Sequence, residues 1–132
     1  MFHLFHKTIE IKPTLAIDFD GVIHDYSSVI EAGKMGQPVK GARQAMELLK
    51  AEGYTLAIYS IKAETSYGTK KLLEWLEMNE IPYDEVCVVR PAAAIYLDDR
   101  GLEFRTWKKA LRDIDKRLDL IKIRNTKPKA KR

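Results

Sequence analysis

Four short apolar runs, each separated from the next by helix-like or turn-forming sequence, do most to limit what this chain can become. Residues 14–20 read Thr-Leu-Ala-Ile-Asp-Phe-Asp after Pro13, an apolar, partly β-branched run that predicts a buried strand ending at Asp18 and Asp20. Residues 54–60 (Tyr-Thr-Leu-Ala-Ile-Tyr-Ser) predict a second strand, 85–89 a third, and 94–98 a fourth that again ends on a carboxylate. After the first run, residues 21–41 hold four glycines and Pro38 without a long period, and read as loop or hairpin. Residues 39–52 then put Ala42, Ala45, Met46, Leu48 and Leu49 on one helical stripe, closed by Gly53. Thr65 or Ser66 can cap a second helix with Leu72, Leu73, Trp75, Leu76 and Met78 on its stripe, ending near Asn79. Thr106 precedes a third helix over about 107–120. Strands alternating with helices in this way predict an α/β fold, a parallel sheet covered on both faces.

The 132 residues fit one domain, and an apolar fraction of 45% can fill one core. No run reaches the roughly 18–20 consecutive apolar residues of a membrane span, and residues 1–7 lack the charged, apolar, small order of a secretory signal. Cys87 is the lone cysteine, which suits a reducing cytoplasm; among valines it reads as core filler and not as a nucleophile. The six Lys and Arg of residues 122–132 outnumber the net charge of +4, so residues 1–121 are mildly acidic. The chain therefore divides into a folded domain, 1–121, and a basic tail, 122–132, expected to be disordered. The tail can touch nucleic-acid phosphates, although a solvated tail without a specific partner is the simpler reading. His3 and His6 are three apart, but no third ligand accompanies them, so no metal site is assigned there.

Three of the four strands end in polar groups: Asp18 and Asp20, Ser60, and Asp98 with Asp99. In an open parallel sheet, ligands bind outside the carboxyl ends of the strands, so these chain-distant groups should converge. Asp18 and Asp20 are two apart, which on an extended backbone points both to one face and Phe19 to the other. Carboxylates that close repel unless a cation lies between them. Two acidic pairs at one edge suit a hard divalent ion with oxygen ligands, as Mg²⁺ prefers.

The run Asp-Phe-Asp-Gly-Val at 18–22 resembles the DxDG[TV] signature of the haloacid dehalogenase-like (HAD) phosphohydrolases. The later run Pro-Ala-Ala-Ala-Ile-Tyr-Leu-Asp-Asp-Arg at 91–100 is similar to the last motif of their small cap-less members. The resemblance spans about residues 15–104, most of the chain. It implies a three-layer Rossmann-like fold, helices on both faces of the sheet, and no cap domain. It implies a Mg²⁺-dependent phosphatase in which Asp18 attacks phosphorus to form an aspartyl-phosphate and Asp20 serves as general acid and base. Ser60 would hold a phosphate oxygen. Mg²⁺ would be held by Asp18, the backbone carbonyl of Asp20, and Asp98, with Asp99 in support.

At the family's conserved motif Lys this chain has Arg90, followed by Pro91, which keeps the charge but is bulkier. Lys62, two past Ser60, stands where relatives often carry Arg. Both are assigned here as phosphate contacts. His24 follows the first motif in a loop and reads as solvated; Trp75 reads as core, and Trp107 as a packing residue rather than a base-stacking one. Neither 21–38 nor 61–89 has room for a cap domain, so the site should be open, with a short flap, a neighbouring subunit or the substrate excluding water. A phosphorylated small molecule is the expected substrate, and an oligomer is compatible with the sequence. Two alternatives stand beside the phosphatase: a catalytically weak module that binds phosphorylated ligands or nucleic acid, and a nucleic-acid end-processing phosphatase tethered by the tail.

Overall fold

The computed structural model describes residues 13–126. Its elements are β1 (Thr14–Asp18), α1 (Ala42–Ala51), β2 (Thr55–Tyr59), α2 (Ser66–Met78), β3 (Glu85–Cys87), β4 (Ile95–Leu97) and α3 (Trp107–Thr126), with 3₁₀ turns at Tyr26–Ser28 and Ile61–Glu64. The two Leu-Ala-Ile triplets build the sheet's centre: Leu15 pairs with Leu56, Ala16 with Ala57 and Ile17 with Ile58. Alternation sends the four large side chains to one face and the two alanines to the other. The large face is filled by Met46 of α1 and by Leu72, Trp75 and Leu76 of α2, with Phe19, Ile23 and Ile81. Each such side chain contributes about 1.5–3 kcal/mol on full burial, so this cluster dominates the stability of the sheet.

All three strand pairings are parallel and the order is β3-β2-β1-β4. The chain steps from β1 to β2 to β3, then returns to the far side of β1 as β4. This α/β arrangement is consistent with a Rossmann-like fold, and its switch point lies between β1 and β4.

The outer strands are shorter than the sequence predicts. β3 ends at Cys87 instead of Val89 because the Ser60 N–H takes the Cys87 carbonyl at 2.9 Å, and β2 has already ended. β4 spans 95–97 instead of 94–98 and, among the described residues, pairs only with β1. Its side chains are 57, 40 and 52% exposed, so the expected burial on both faces does not reach this edge strand.

Helix boundaries follow local chemistry. α1 starts after Gly41, which takes a φ of +84°, and the cap of α2 is Thr65, whose hydroxyl accepts the Gly68 N–H at 2.9 Å. α3 runs to Thr126, six residues past the predicted end and into the segment read as tail. Residues 127–132 of the tail, and His3 and His6, lie outside the described residues.

The chain divides into two compact units between Asp99 and Arg100. The first carries all four strands with α1 and α2. In the second, Arg117 Nη1 donates to the Arg100 carbonyl at 3.0 Å, and the rings of Phe104 and Trp107 meet edge-on at 5.3 Å. Trp107, expected to pack, is 71% exposed, and Leu111, Ile114, Leu118 and Ile121 follow it at helical spacing, also exposed. Among the described residues no helix is long and apolar enough to cross a membrane.

Candidate functional site at the strand ends

β1 ends at Asp18, whose register partner is Tyr59, and the chain then folds back at once. The N–H groups of Ile23 and His24 both reach the Phe19 carbonyl at 2.9 Å, and the Gly21 N–H reaches the His24 carbonyl at 2.9 Å. Gly21 has a φ of +89°, and a Cβ there would collide with the Asp99 carboxylate. Glycine thus makes the turn possible and lets the acidic end of β4 pack against the loop after β1. Beyond the turn the chain forms a flap whose stems are closed by Asp25 N–H to the Gln37 carbonyl at 2.8 Å and Val39 N–H to the Ile23 carbonyl at 2.7 Å.

Asp20 is held at both oxygens. His24 Nδ1 lies 2.8 Å from Oδ1, and Lys62 Nζ lies 2.9 Å from Oδ2. His24 is 1% exposed, which corrects the expectation of a solvated loop histidine. Its ring stacks on Phe19 at 5.2 Å and meets the edge of Trp75 at 5.4 Å. Its Nε2 accepts the Gly36 N–H at 2.8 Å, so that nitrogen bears no proton, and the neutral ring carries its proton on Nδ1, facing Asp20. Gly36 in turn accepts the Trp75 Nε1–H at 2.9 Å. The only sequence signal for this contact was the four-residue spacing of Asp20 and His24, which brings side chains together once the chain turns helically.

At the other acidic pair, Arg90 Nη2 donates to Asp98 Oδ2 at 3.2 Å. Its guanidinium lies over the ring of Tyr96 at 4.8 Å and over that of Tyr59 at 5.6 Å. The Tyr59 hydroxyl oxygen is buried without a hydrogen-bond partner among the described residues. Burial pushes its ionisation above the ordinary tyrosine value, the Asp18 charge adds to this, and Arg90 opposes it. In the sequence Tyr59 reads as an ordinary strand aromatic.

Ser60 is buried, and its Oγ accepts the Lys62 N–H at 3.1 Å to cap the turn at Ile61–Glu64. That contact uses the hydroxyl oxygen as acceptor and leaves its proton available for donation. The structure thus links Asp20 with Lys62, Arg90 with Asp98, and Asp99 with the Gly21 turn. Asp18 stands beside Tyr59 in register. Cys87 is half-buried, and burial, with Glu85 adding, pushes its thiol ionisation up, which disfavours the nucleophilic thiolate. No family model matches the chain, and neither does any curated protein or solved structure.

Proposed function

We propose that this chain is a Mg²⁺-dependent phosphomonoesterase of the HAD-like, cap-less, three-layer kind, acting on a phosphorylated small molecule in the cytoplasm. One observation carries the reading: two acidic pairs end strands that flank the switch point of a parallel sheet, and one member of each pair holds a cation, Lys62 on Asp20 and Arg90 on Asp98. Such an edge offers carboxylates for chemistry and cations for a phosphate dianion.

The donor types are those that a magnesium ion takes. Asp18, Asp98 and Asp99 offer hard oxygen donors, and Asp99 packs against the Gly21 backbone next to the Asp20 peptide. Among the described residues no three His, Cys, Asp or Glu side chains group as metal ligands. The ion would therefore rely on the carboxylates of Asp18 and Asp98, the Asp20 carbonyl and water, as Mg²⁺ commonly does. When bound, it offsets the repulsion between carboxylate and phosphate.

In the proposed reaction an Asp18 oxygen bonds to phosphorus as the ester P–O bond breaks, and Asp20 gives its proton to the leaving oxygen. Asp20 then takes a proton from the water that hydrolyses the aspartyl-phosphate, which returns Asp18 and releases phosphate. The incoming dianion competes with Asp20 for Lys62, and the oxygen that Lys62 leaves can carry the proton required. Ser60 and Arg90 would donate to the phosphate oxygens.

Purified protein with Mg²⁺ should release phosphate from at least one member of a broad monoester panel, and Asp18→Asn should lower the rate by on the order of 10³-fold or more. Full activity in that variant would remove Asp18 as the nucleophile. The Arg90–Asp98 pair favours a second reading, a binding module in which the guanidinium occupies a carboxylate the ion needs. Phosphate-ester binding without turnover in the wild type, with turnover gained in Arg90→Lys, would select it.

A further inference from the structure

We infer that His24 is the positioning residue for Asp20, and that it ties the flap to the acid–base carboxylate through Gly36. The inference rests on the phosphatase reading and extends it to a residue outside the motifs. A general acid is effective when one oxygen is fixed and the other is presented to the leaving group. His24 meets the first condition: its Nδ1–H engages Oδ1 of Asp20 at 2.8 Å, leaving Oδ2 on the side occupied by Lys62. The ring is itself fixed, stacked on Phe19, edge-on to Trp75, and held at Nε2 by the Gly36 N–H. Gly36 is anchored from α2 by the Trp75 indole. A Cβ at Gly36 would collide with Ser28 Oγ and stand 3.0 Å from the Val29 nitrogen, so the flap backbone approaches this closely only with glycine there. Trp75, Gly36, His24 and Asp20 thus form one continuous set of hydrogen bonds from a core helix, through the flap, to the carboxylate.

Two isosteres separate the two ends of the ring. In His24→Asn the amide nitrogen falls near the Nδ1 position and can still donate to Asp20, but the acceptor for Gly36 is lost. In His24→Gln the amide oxygen falls near Nε2 and can still accept from Gly36, but the donor to Asp20 is lost. A poor leaving group needs the proton from Asp20, and a good one does not. For phenyl phosphate, kcat should fall on the order of 10–100-fold in His24→Gln. With 2,4-dinitrophenyl phosphate the same variant should keep kcat within about threefold, and KM should change little for both esters. His24→Asn keeps the donor but loses the Gly36 hold, so its kcat on phenyl phosphate should fall by less than that of His24→Gln. Equal losses on the two esters, or full activity of His24→Gln on phenyl phosphate, would overturn the inference. If the wild type cleaves no member of the monoester panel, the phosphatase reading falls first; if it cleaves others but neither of these two esters, or none at all, the linkage is judged by imidazole ¹⁵N shifts of the wild type. An Nδ1–H tautomer whose shifts move on Asp20→Asn sustains the link, and an Nε2–H tautomer rejects it.

Discussion

At Gly21 an alanine would have to adopt a φ of +89° and place its Cβ into the Asp99 carboxylate. Gly21→Ala is expected to lower stability by about 1–3 kcal/mol, read as a shifted urea midpoint. An unchanged midpoint would mean that β4 does not pack against this turn. The same turn explains which candidate site residues the sequence could reveal. Asp18, Asp20, Ser60, Asp98 and Asp99 stand out because polar residues at the end of apolar runs need no tertiary knowledge to be noticed. His24 did not stand out, because its burial is created by the fold-back after Phe19 and by Trp75, 51 positions later in the chain. Arg90 and Lys62 were legible as cations near the edge, but not their resting partners, which depend on how the loops after β2 and β3 close.

Gly68 in the first turn of α2 makes a second close approach, this time at the scale of an element. Alanine at an exposed helical position is normally favoured by about 1 kcal/mol over glycine. Here a Cβ would run into the Lys62 carbonyl, so Gly68→Ala should destabilise the protein and lower its thermal midpoint. A gain in stability would show that the turn at Ile61–Glu64 moves freely. Asp84, just before β3, joins three elements: one oxygen pairs with Lys50 of α1, and the other accepts the Leu56 N–H of β2 at 2.7 Å. The bond from Lys50, then that from Leu56, holds its ionisation below the ordinary carboxylate range. Its contribution is present at neutral pH and is lost as pH falls through that lowered value. Asp84→Asn should therefore flatten the fall in stability below about pH 4, followed by urea unfolding across pH. Strands β1 and β2 were readable because their burial depends on their own composition. The ends of β3 and β4 were not, since a strand stops where its neighbour stops offering hydrogen bonds.

For the whole molecule, the two tryptophans report on different surroundings. Trp75 is 6% exposed in the core of the first unit, and Trp107 is 71% exposed in the second. Trp107→Phe should leave a blue-shifted emission that acrylamide quenches poorly, whereas Trp75→Phe should leave a red-shifted, readily quenched one. Similar quenching in the two variants would mean that α3 is covered in solution. The alternation of strands and helices was enough to predict a parallel α/β sheet. It did not predict the division at Asp99–Arg100, because apolar period alone does not report which compact unit a helix belongs to. The flap has an uneven architecture with its own consequence. Its stems are fastened around residues 23–25 and 36–39, whereas Ile30 is 85% exposed and a Cβ on Gly33 would meet nothing within 4 Å. Extra chain could enter between those stems without disturbing the carboxylates at the strand ends, which makes the tip a natural grafting point through which descendants of this scaffold could acquire a cover over that edge.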